Sequence, residues 1–280
     1  GNEDLARVKV LQGKKLLEEA LAEFTDTSMR AQAEYLLANL SMEFGDDAKN
    51  TELKKRFYNE AVSRFSDLVA SYPDNEYAPK AQYKKALVYE KMSEFQPSLI
   101  DKASEEYVKL SYRYPDHELV ADTIVRLGEY FRNKGRAMRD QANALAEQGQ
   151  AVEAEKIRIQ ARKMFVTGSR VLGRLSERFP QHGLAGKTLV VSGQCAMQGE
   201  DYELAVEMFD KVIEDTQMQS DLRAMAMFWS GRAHLEQKDL MQAYIDLKKL
   251  TWDYPETEWA RYARGLLATN EGLIKMDEQN

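Results

Sequence analysis

Four of the six prolines in this chain directly follow an aromatic residue, as Tyr72-Pro73, Tyr114-Pro115, Phe179-Pro180 and Tyr254-Pro255. Each pair closes a stretch whose apolar residues recur at steps of three and four, the spacing of a helix face, and no segment alternates with period two. Proline lacks an amide and restricts the residue before it, so each pair is a helix stop. Eleven residues before each aromatic stands a small residue, Ala61, Ala103, Gly168 and Ala243, and the same phase recurs without proline at Gly13 and Ala205. Four residues on come Leu17, Phe65, Tyr107, Leu172, Phe209 and Leu247; seven on come Ala20, Leu68, Leu110, Leu175, Val212 and Leu250. One helix is written six times.

The helix that follows is repeated as well. Large apolar Met29, Tyr77, Leu119, Leu184, Leu222 and Trp259 are each followed nine residues later by small Ala38, Ala86, Gly128, Gly193, Gly231 and Ala268. Small residues let two helix backbones approach closely, so each pair of helices is expected to form a tight antiparallel hairpin, and stacked hairpins make a solenoid. The expected fold class is all-α, a right-handed superhelical solenoid forming one domain over residues 1–280. Its last helix, about 257–272, is a cap.

Charge and composition narrow the function. Against 39 basic residues stand 46 acidic ones, a net charge of −7, which disfavours a general nucleic-acid binder. No apolar run approaches the roughly 18 residues of a membrane span. The chain begins at Gly1 and not at Met, which reads as a trimmed start and leaves room for a lost leader or lipid anchor, hence for peripheral attachment. A single cysteine, Cys195, excludes an internal disulfide framework and a cysteine-rich zinc site.

In the last two repeats the small residue of the first helix precedes that of the second by twelve positions, Gly193 to Ala205 and Gly231 to Ala243. This spacing resembles the tetratricopeptide repeat, and Gly231, Ala243, Leu247, Leu250 and Pro255 follow that pattern through. The phrases Tyr72-Pro-Asp-Asn-Glu-Tyr-Ala-Pro-Lys-Ala-Gln-Tyr83 and Tyr254-Pro-Glu-Thr-Glu-Trp-Ala-Arg-Tyr-Ala263 resemble repeats of bacterial envelope proteins, the BamD-like assembly lipoproteins and the YbgF-like periplasmic coordinators. The departures are lengthened hairpins: 23 residues from Ala38 to Ala61, 17 from Ala86 to Ala103 and 40 from Gly128 to Gly168. The N-terminal helix, residues 3–24, matches the second helix of a repeat whose first is missing, so either it caps the stack or the natural protein continues upstream.

The spacing of 40 exceeds the repeat by 28 residues, enough to extend each helix by about fourteen residues, or about 21 Å. An arm is therefore expected over about 132–178, turning at Gly149-Gln150. Met138, Ala142 and Leu145 should face Ile157, Ala161 and Met164 across its seam. From Arg132 to Arg178 there are eleven basic and five acidic residues, a net +6 that leaves −13 for the remainder. Arg136, Arg139, Arg158, Arg162, Arg170 and Arg174 either contact an anionic partner, an acidic protein surface or lipid headgroups, or form a solvated face in which Glu153, Glu155 and Asp140 pair locally. The arm's single aromatic, Phe165, falls near the seam, which leaves no base-stacking platform.

Motifs with catalytic meaning fail on inspection. Gly183-Leu-Ala-Gly186-Lys187-Thr188 ends like a phosphate loop, but Gln181 stands where the first glycine belongs and a helix, not a strand, precedes it. His117 and His182 occupy equivalent inter-repeat turns, which offers a shared metal as one reading, and Asp116 and Gln181 beside them suit helix starts, which gives the capping reading. His234 sits at the repeat's usual aromatic position and reads as core, and Cys195 reads as buried filler. No enzyme activity, cofactor or metal is expected.

The tetratricopeptide resemblance implies a peptide groove lined by first helices. Carried over by register, its positions are Tyr35, Tyr83, Val125, Val190 and Phe228, then Asn39, Leu87, Glu129, Gln194 and Arg232, with Lys80 and Lys187 near their helix starts. The alternative is that Tyr83 and Phe228 pack against the next hairpin. The lysine-asparagine carboxylate clamp of some cochaperone repeats is not supplied. The expectation is a protein-binding scaffold without enzymatic activity on the periplasmic side of a bacterial envelope, in outer-membrane or cell-wall assembly. Two alternatives stay open: a cytoplasmic regulator sequestering a signalling protein or peptide, and an accessory domain of a larger enzyme.

Overall fold

A computed structural model describes the backbone of residues 2–279 and the side chains of residues 11–275. Among the described residues there are thirteen α-helices and no strand: α1 (Asn2–Glu23), α2 (Thr27–Asp47), α3 (Thr51–Ser71), α4 (Tyr77–Ser93), α5 (Leu99–Arg113), α6 (Leu119–Glu147), α7 (Ala151–Arg178), α8 (Ala185–Gln198), α9 (Tyr202–Glu214), α10 (Ser220–Glu236), α11 (Leu240–Asp253), α12 (Glu258–Thr269) and α13 (Glu271–Gln279). They form two compact units, residues 1–123 and 124–280, with the boundary inside α6. Within each unit helices pack on their sequence neighbours, and alternate ones, α2 on α4, α8 on α10 and α10 on α12, also touch.

The repeated small residue has a definite mate. A Cβ on Gly128 would lie 2.3 Å from Leu172, one on Gly193 2.4 Å from Phe209, and one on Gly231 2.9 Å from Leu247. In every case the large residue stands four positions after the small residue of the second helix, so the hairpin closes by seating it over the small residue of the first. Ala38, Ala61 and Phe65 are fully buried in one core cluster, the same arrangement with alanine. The long hairpin obeys it too: Gly128 meets Leu172, and seven residues up α6 Gly135 meets Phe165, seven residues back along α7. Its two helices are therefore antiparallel.

Those helices, α6 and α7, run 29 and 28 residues against 14 and 13 for α8 and α9. This is the expected arm, and it turns where Gly149 takes φ +79°, the left-handed conformation a helix C-terminus favours. Glu200 (φ 60°) and Lys238 (φ 64°) make the same kink in the α8–α9 and α10–α11 turns without glycine. The cap expected at about 257–272 is two helices, α12 and α13. They part at Asn270, whose side chain accepts from the amides of Gly272 and Leu273.

The aromatic-proline stops are one turn built four times. Tyr72, Tyr114, Phe179 and Tyr254 share φ between −135° and −129° and ψ between 51° and 60°, and their amides donate to Leu68, Leu110, Leu175 and Leu250. Three residues later, Asn75, His117, His182 and Thr257 return an amide to the aromatic's carbonyl at 2.9–3.1 Å. Their side chains then accept from the next helix: Asn75 Oδ1 from Tyr77, His117 Nδ1 from Leu119, His182 Nδ1 from Leu184 and Thr257 Oγ1 from Ala260. The acceptor is thus the histidine itself, one position beyond Asp116 and Gln181, and each imidazole is held by its own turn.

Five outcomes follow from these contacts. Gly193→Ala should destabilise the fold by about 1–3 kcal/mol, read as a lowered urea midpoint, since its Cβ meets the rigid Phe209 ring, and Ala243→Leu should cost the same. Gly265→Ala in α12, with nothing within 4 Å, should raise stability by about 1 kcal/mol. His117→Ala should cost about 1 kcal/mol and His117→Asn almost nothing, because Asn75 already performs that role; equal loss from both would refute the capping account.

Candidate functional site

Of the first-helix positions expected to line a groove, Tyr35, Val190 and Phe228 receive a side chain from the next first helix. Within the N-terminal unit Tyr77 of α4 packs on Tyr35 of α2, ring centroids 5.2 Å apart. In the C-terminal unit Leu222 of α10 joins the core cluster of Val190 and abuts Gly186 of α8, and Trp259 of α12 lies 5.7 Å from Phe228 of α10. The recurring large residue of each of these first helices docks onto the residue three before the small one in the preceding first helix. Tyr83, Val190 and Phe228 are accordingly 8%, 1% and 7% exposed, and Tyr83 is further held by the Tyr107 ring and by donating to Asp122. Their side chains are spent in packing and cannot line a groove; Tyr35 and Val125 are half-buried. Met29 and Leu184 depart from the docking pattern, at 52% and 41% exposed.

The polar members of the expected groove stay reachable. Glu129 and Lys187 are exposed, and Gln194 is half-buried. Arg232 lies over the Trp229 ring, and Lys80 over Tyr77 with Glu76 at 3.6 Å. Asn39 and Leu87 are half-buried, and Asn39 is engaged in donating to Tyr35 O.

On the arm, the expected seam forms but is carried by smaller groups. Ala142, Ala154, Ala161 and Phe165 are buried, whereas Met138, Leu145, Ile157 and Met164 are only half so. The arginines divide. Arg158 pairs with Glu155 at 2.9 Å, and Arg162 with Glu200 at 2.9 Å and Glu155 at 3.5 Å. Arg139 covers the Phe165 ring, and Arg170 reaches Asp201 only at 3.9 Å. Arg136 and Arg174 are exposed. Local pairing thus accounts for the two inner arginines, with Glu200 as a partner that sequence spacing did not suggest, and leaves an outer basic face. At the base of the arm, Ile159, Arg162, Lys163, Val166, Thr167 and Arg170 line a groove whose other wall is Gly199 to Glu203 with Gln237.

Buried polar groups lie elsewhere, and the two units treat them oppositely. Glu106 of α5 is buried, which by itself raises a carboxyl pKa, but Lys109 at 2.8 Å, Lys85 at 3.2 Å and an amide hydrogen bond from Gln82 outweigh burial and hold it below the usual range. Asp246 of α11 is raised by burial in spite of Gln242 at 2.8 Å, Ser230 at 3.2 Å and His234 at 3.6 Å. Asp210 of α9 is raised by burial and by the nearby charges of Asp246 and Glu214. His234 is thus core-facing, as its register position implied. The Cys195 thiol is fully buried and pushed up to about 11, which leaves it protonated and unreactive. Among the described residues no three His, Cys, Asp or Glu side chains are placed to hold a metal ion, and no helix is long and apolar enough to cross a membrane.

The sign of these shifts gives a pH dependence. A lowered carboxyl stabilises the fold above its unfolded pKa and loses that contribution as pH falls through the folded value; a raised one destabilises as pH rises through the folded value. Acidification through the carboxylate range should therefore weaken the N-terminal hairpins through Glu106 and relieve the α9–α11 region through Asp246 and Asp210. Asp210→Asn should raise the urea midpoint at neutral pH and by less in acid, where Asp210 is itself protonated; an unchanged midpoint at neutral pH would contradict the repulsion between the two aspartates.

Residues 225–257 match the tetratricopeptide repeat family model, spanning most of α10, all of α11 and the Tyr254-Pro255 stop. No curated protein sequence matches the chain. Among solved structures, a tetratricopeptide repeat protein from Parabacteroides merdae is 15% identical, with 96% of each chain covered and a TM-score of 0.34. PilW, a type IV pilus biogenesis factor, is 16% identical over 81% of this chain and 97% of its own, with a TM-score of 0.30. A computationally designed self-assembling cyclic homooligomer is 13% identical over 99% of this chain and 98% of its own, with a TM-score of 0.27. Scores of this size leave the fold resting on the chain's own helices and register. The α10–α11 hairpin thus matches a tetratricopeptide repeat, and the earlier hairpins at Gly128 and Gly193 are closed by the same small and large positions.

Proposed function

We propose that the chain is a protein-binding scaffold without enzymatic activity, working on the periplasmic side of a bacterial envelope in outer-membrane or cell-wall assembly. Repeats of this type mediate protein–protein interaction, and rigid hairpins offer preformed surfaces that need little ordering on binding. The observation that carries the reading further is the arm. An insertion of about fourteen residues per helix, sealed mainly by alanine and one phenylalanine, adds little to the core of the unit it leaves. Its charge, +6 in a chain of −7, is concentrated where side chains reach solvent. The envelope location is supported by the aromatic-proline turn phrases at Tyr72 and Tyr254 and by their resemblance to envelope repeat proteins.

The test compares the full chain with a variant in which residues 136–163 are replaced by a tight turn, by cross-linking in envelope and cytosolic extracts. Capture of an envelope protein by the full chain alone is the expected result. Equal capture by both forms would move binding to the first-helix face, and capture only from cytosol would overturn the location.

A further inference from the structure

Towards the tip of the arm, the outward face of α7 has no helix packed against it among the described residues. From tip to base it presents Val152, Lys156, Ile159, Lys163, Val166 and Arg170, at alternating steps of four and three. That is the spacing by which one strand of a two-stranded coiled coil faces the other. Val152 is 75% exposed, Ile159 44%, and the Arg170 side chain 68%. Lys163 is exposed and has no ion-pair partner among the described residues, and Lys156 is met only by Glu153 on its own helix at 3.2 Å. Towards the base Val166 packs on Gly199 and Arg170 approaches Asp201 at 3.9 Å, in a groove whose wall carries Glu200, Asp201 and Glu203, so an acidic rod finds its accessible cations, Lys156 and Lys163, nearer the tip.

We propose that this seam is the docking site for an amphipathic helix of a partner protein whose facing positions alternate apolar and acidic residues, a refinement that rests on the arm as binding element. Val152 and Ile159 supply exposed apolar knobs at heptad spacing, with Val166 continuing the line into the base, and the cations between them select the occupant by charge complementarity. A second copy of this chain is the wrong occupant. Pairing α7 with itself in parallel sets Lys156, Lys163 and Arg170 against their own copies, and antiparallel pairing buries each cation among apolar residues with no counter-charge. From Val152 to Arg170 the seam spans about 27 Å, room for about five turns of a partner helix.

The experiment titrates the full chain with two synthetic helices of equal length, carrying leucine at one set of facing positions and glutamate or lysine at the other, followed by fluorescence anisotropy at low salt. Three favourable pairs against three repulsive ones should make the glutamate helix bind about tenfold tighter or more. The surface variant K156E/K163E/R170E, checked for unchanged helicity, should exchange the preference, and Ile159→Ser should weaken both helices. Equal binding of the two helices, or binding of neither, overturns the proposal. So does a dimer in sedimentation that the triple variant abolishes, which assigns the seam to a second copy. Binding to phosphatidylglycerol vesicles without any preference between the helices assigns it to a lipid surface and likewise overturns the proposal. If neither helix binds while loss of the arm still abolishes protein capture, this inference fails and the scaffold reading stands.

Discussion

The hairpins α6–α7, α8–α9 and α10–α11 depend on seating one large side chain over one small residue. Where Gly128 receives Leu172, Gly193 receives Phe209 and Gly231 receives Leu247, no Cβ fits between them. The two helix axes can then come close enough for the flanking leucines to interdigitate, and dispersion contacts accumulate along the whole seam. Where a hairpin ends in the aromatic-proline stop, the knob before it and the socket after it sit at fixed distances from the stop, so the turn delivers the next helix already in phase. The second contact layer follows from the first. With first helices held at a set separation, Tyr77 reaches Tyr35 in one unit, and Leu222 reaches the Val190 cluster and Trp259 reaches Phe228 in the other.

That second layer has a functional cost. Side chains that would line a groove in a looser array are taken up in docking one hairpin on the next, so the first helices present mainly their polar residues, among them Glu129, Lys187, Gln194 and Arg232. Recognition shifts to what the stacking does not consume. The arm is the largest such element, and its outer face keeps valine, isoleucine, lysine and arginine exposed because only its inner face has a helix to pack against.

The buried charges show the same economy of position. Glu106 is surrounded by two lysines and a glutamine from its own hairpin and is stabilised in its charged form. Asp246 and Asp210 share the α9–α11 region with one histidine between them and are penalised. One chain thus holds two neighbourhoods whose stability moves in opposite directions with pH.

The helix stops, the hairpin register, the long arm and its turn at Gly149 were legible in the sequence, because each is fixed by local chemistry: proline's missing amide, the spacing of apolar residues along a helix, and glycine's tolerance of positive φ. The cap was misplaced by one residue, to Asp116 and Gln181, since aspartate and glutamine suit helix starts in general while the shape of this turn aims the imidazole of His117 and His182 at the amide. For the positions Tyr83 and Phe228 the sequence left two roles open, groove or packing against the next hairpin, and for Val190 it offered only the groove. Register tells which residues are equivalent; only the distance between successive first helices decides whether they meet solvent or a neighbouring side chain. The pairing of Arg162 with Glu200 and the groove beside it were invisible for a related reason. They join residues 38 positions apart, brought together by how α7 lies against the α8–α9 turn. Sequence alone determined the elements and their repeat, because those depend on neighbours along the chain, and tertiary structure alone decided which faces remain free to bind, because exposure depends on what packs across from them.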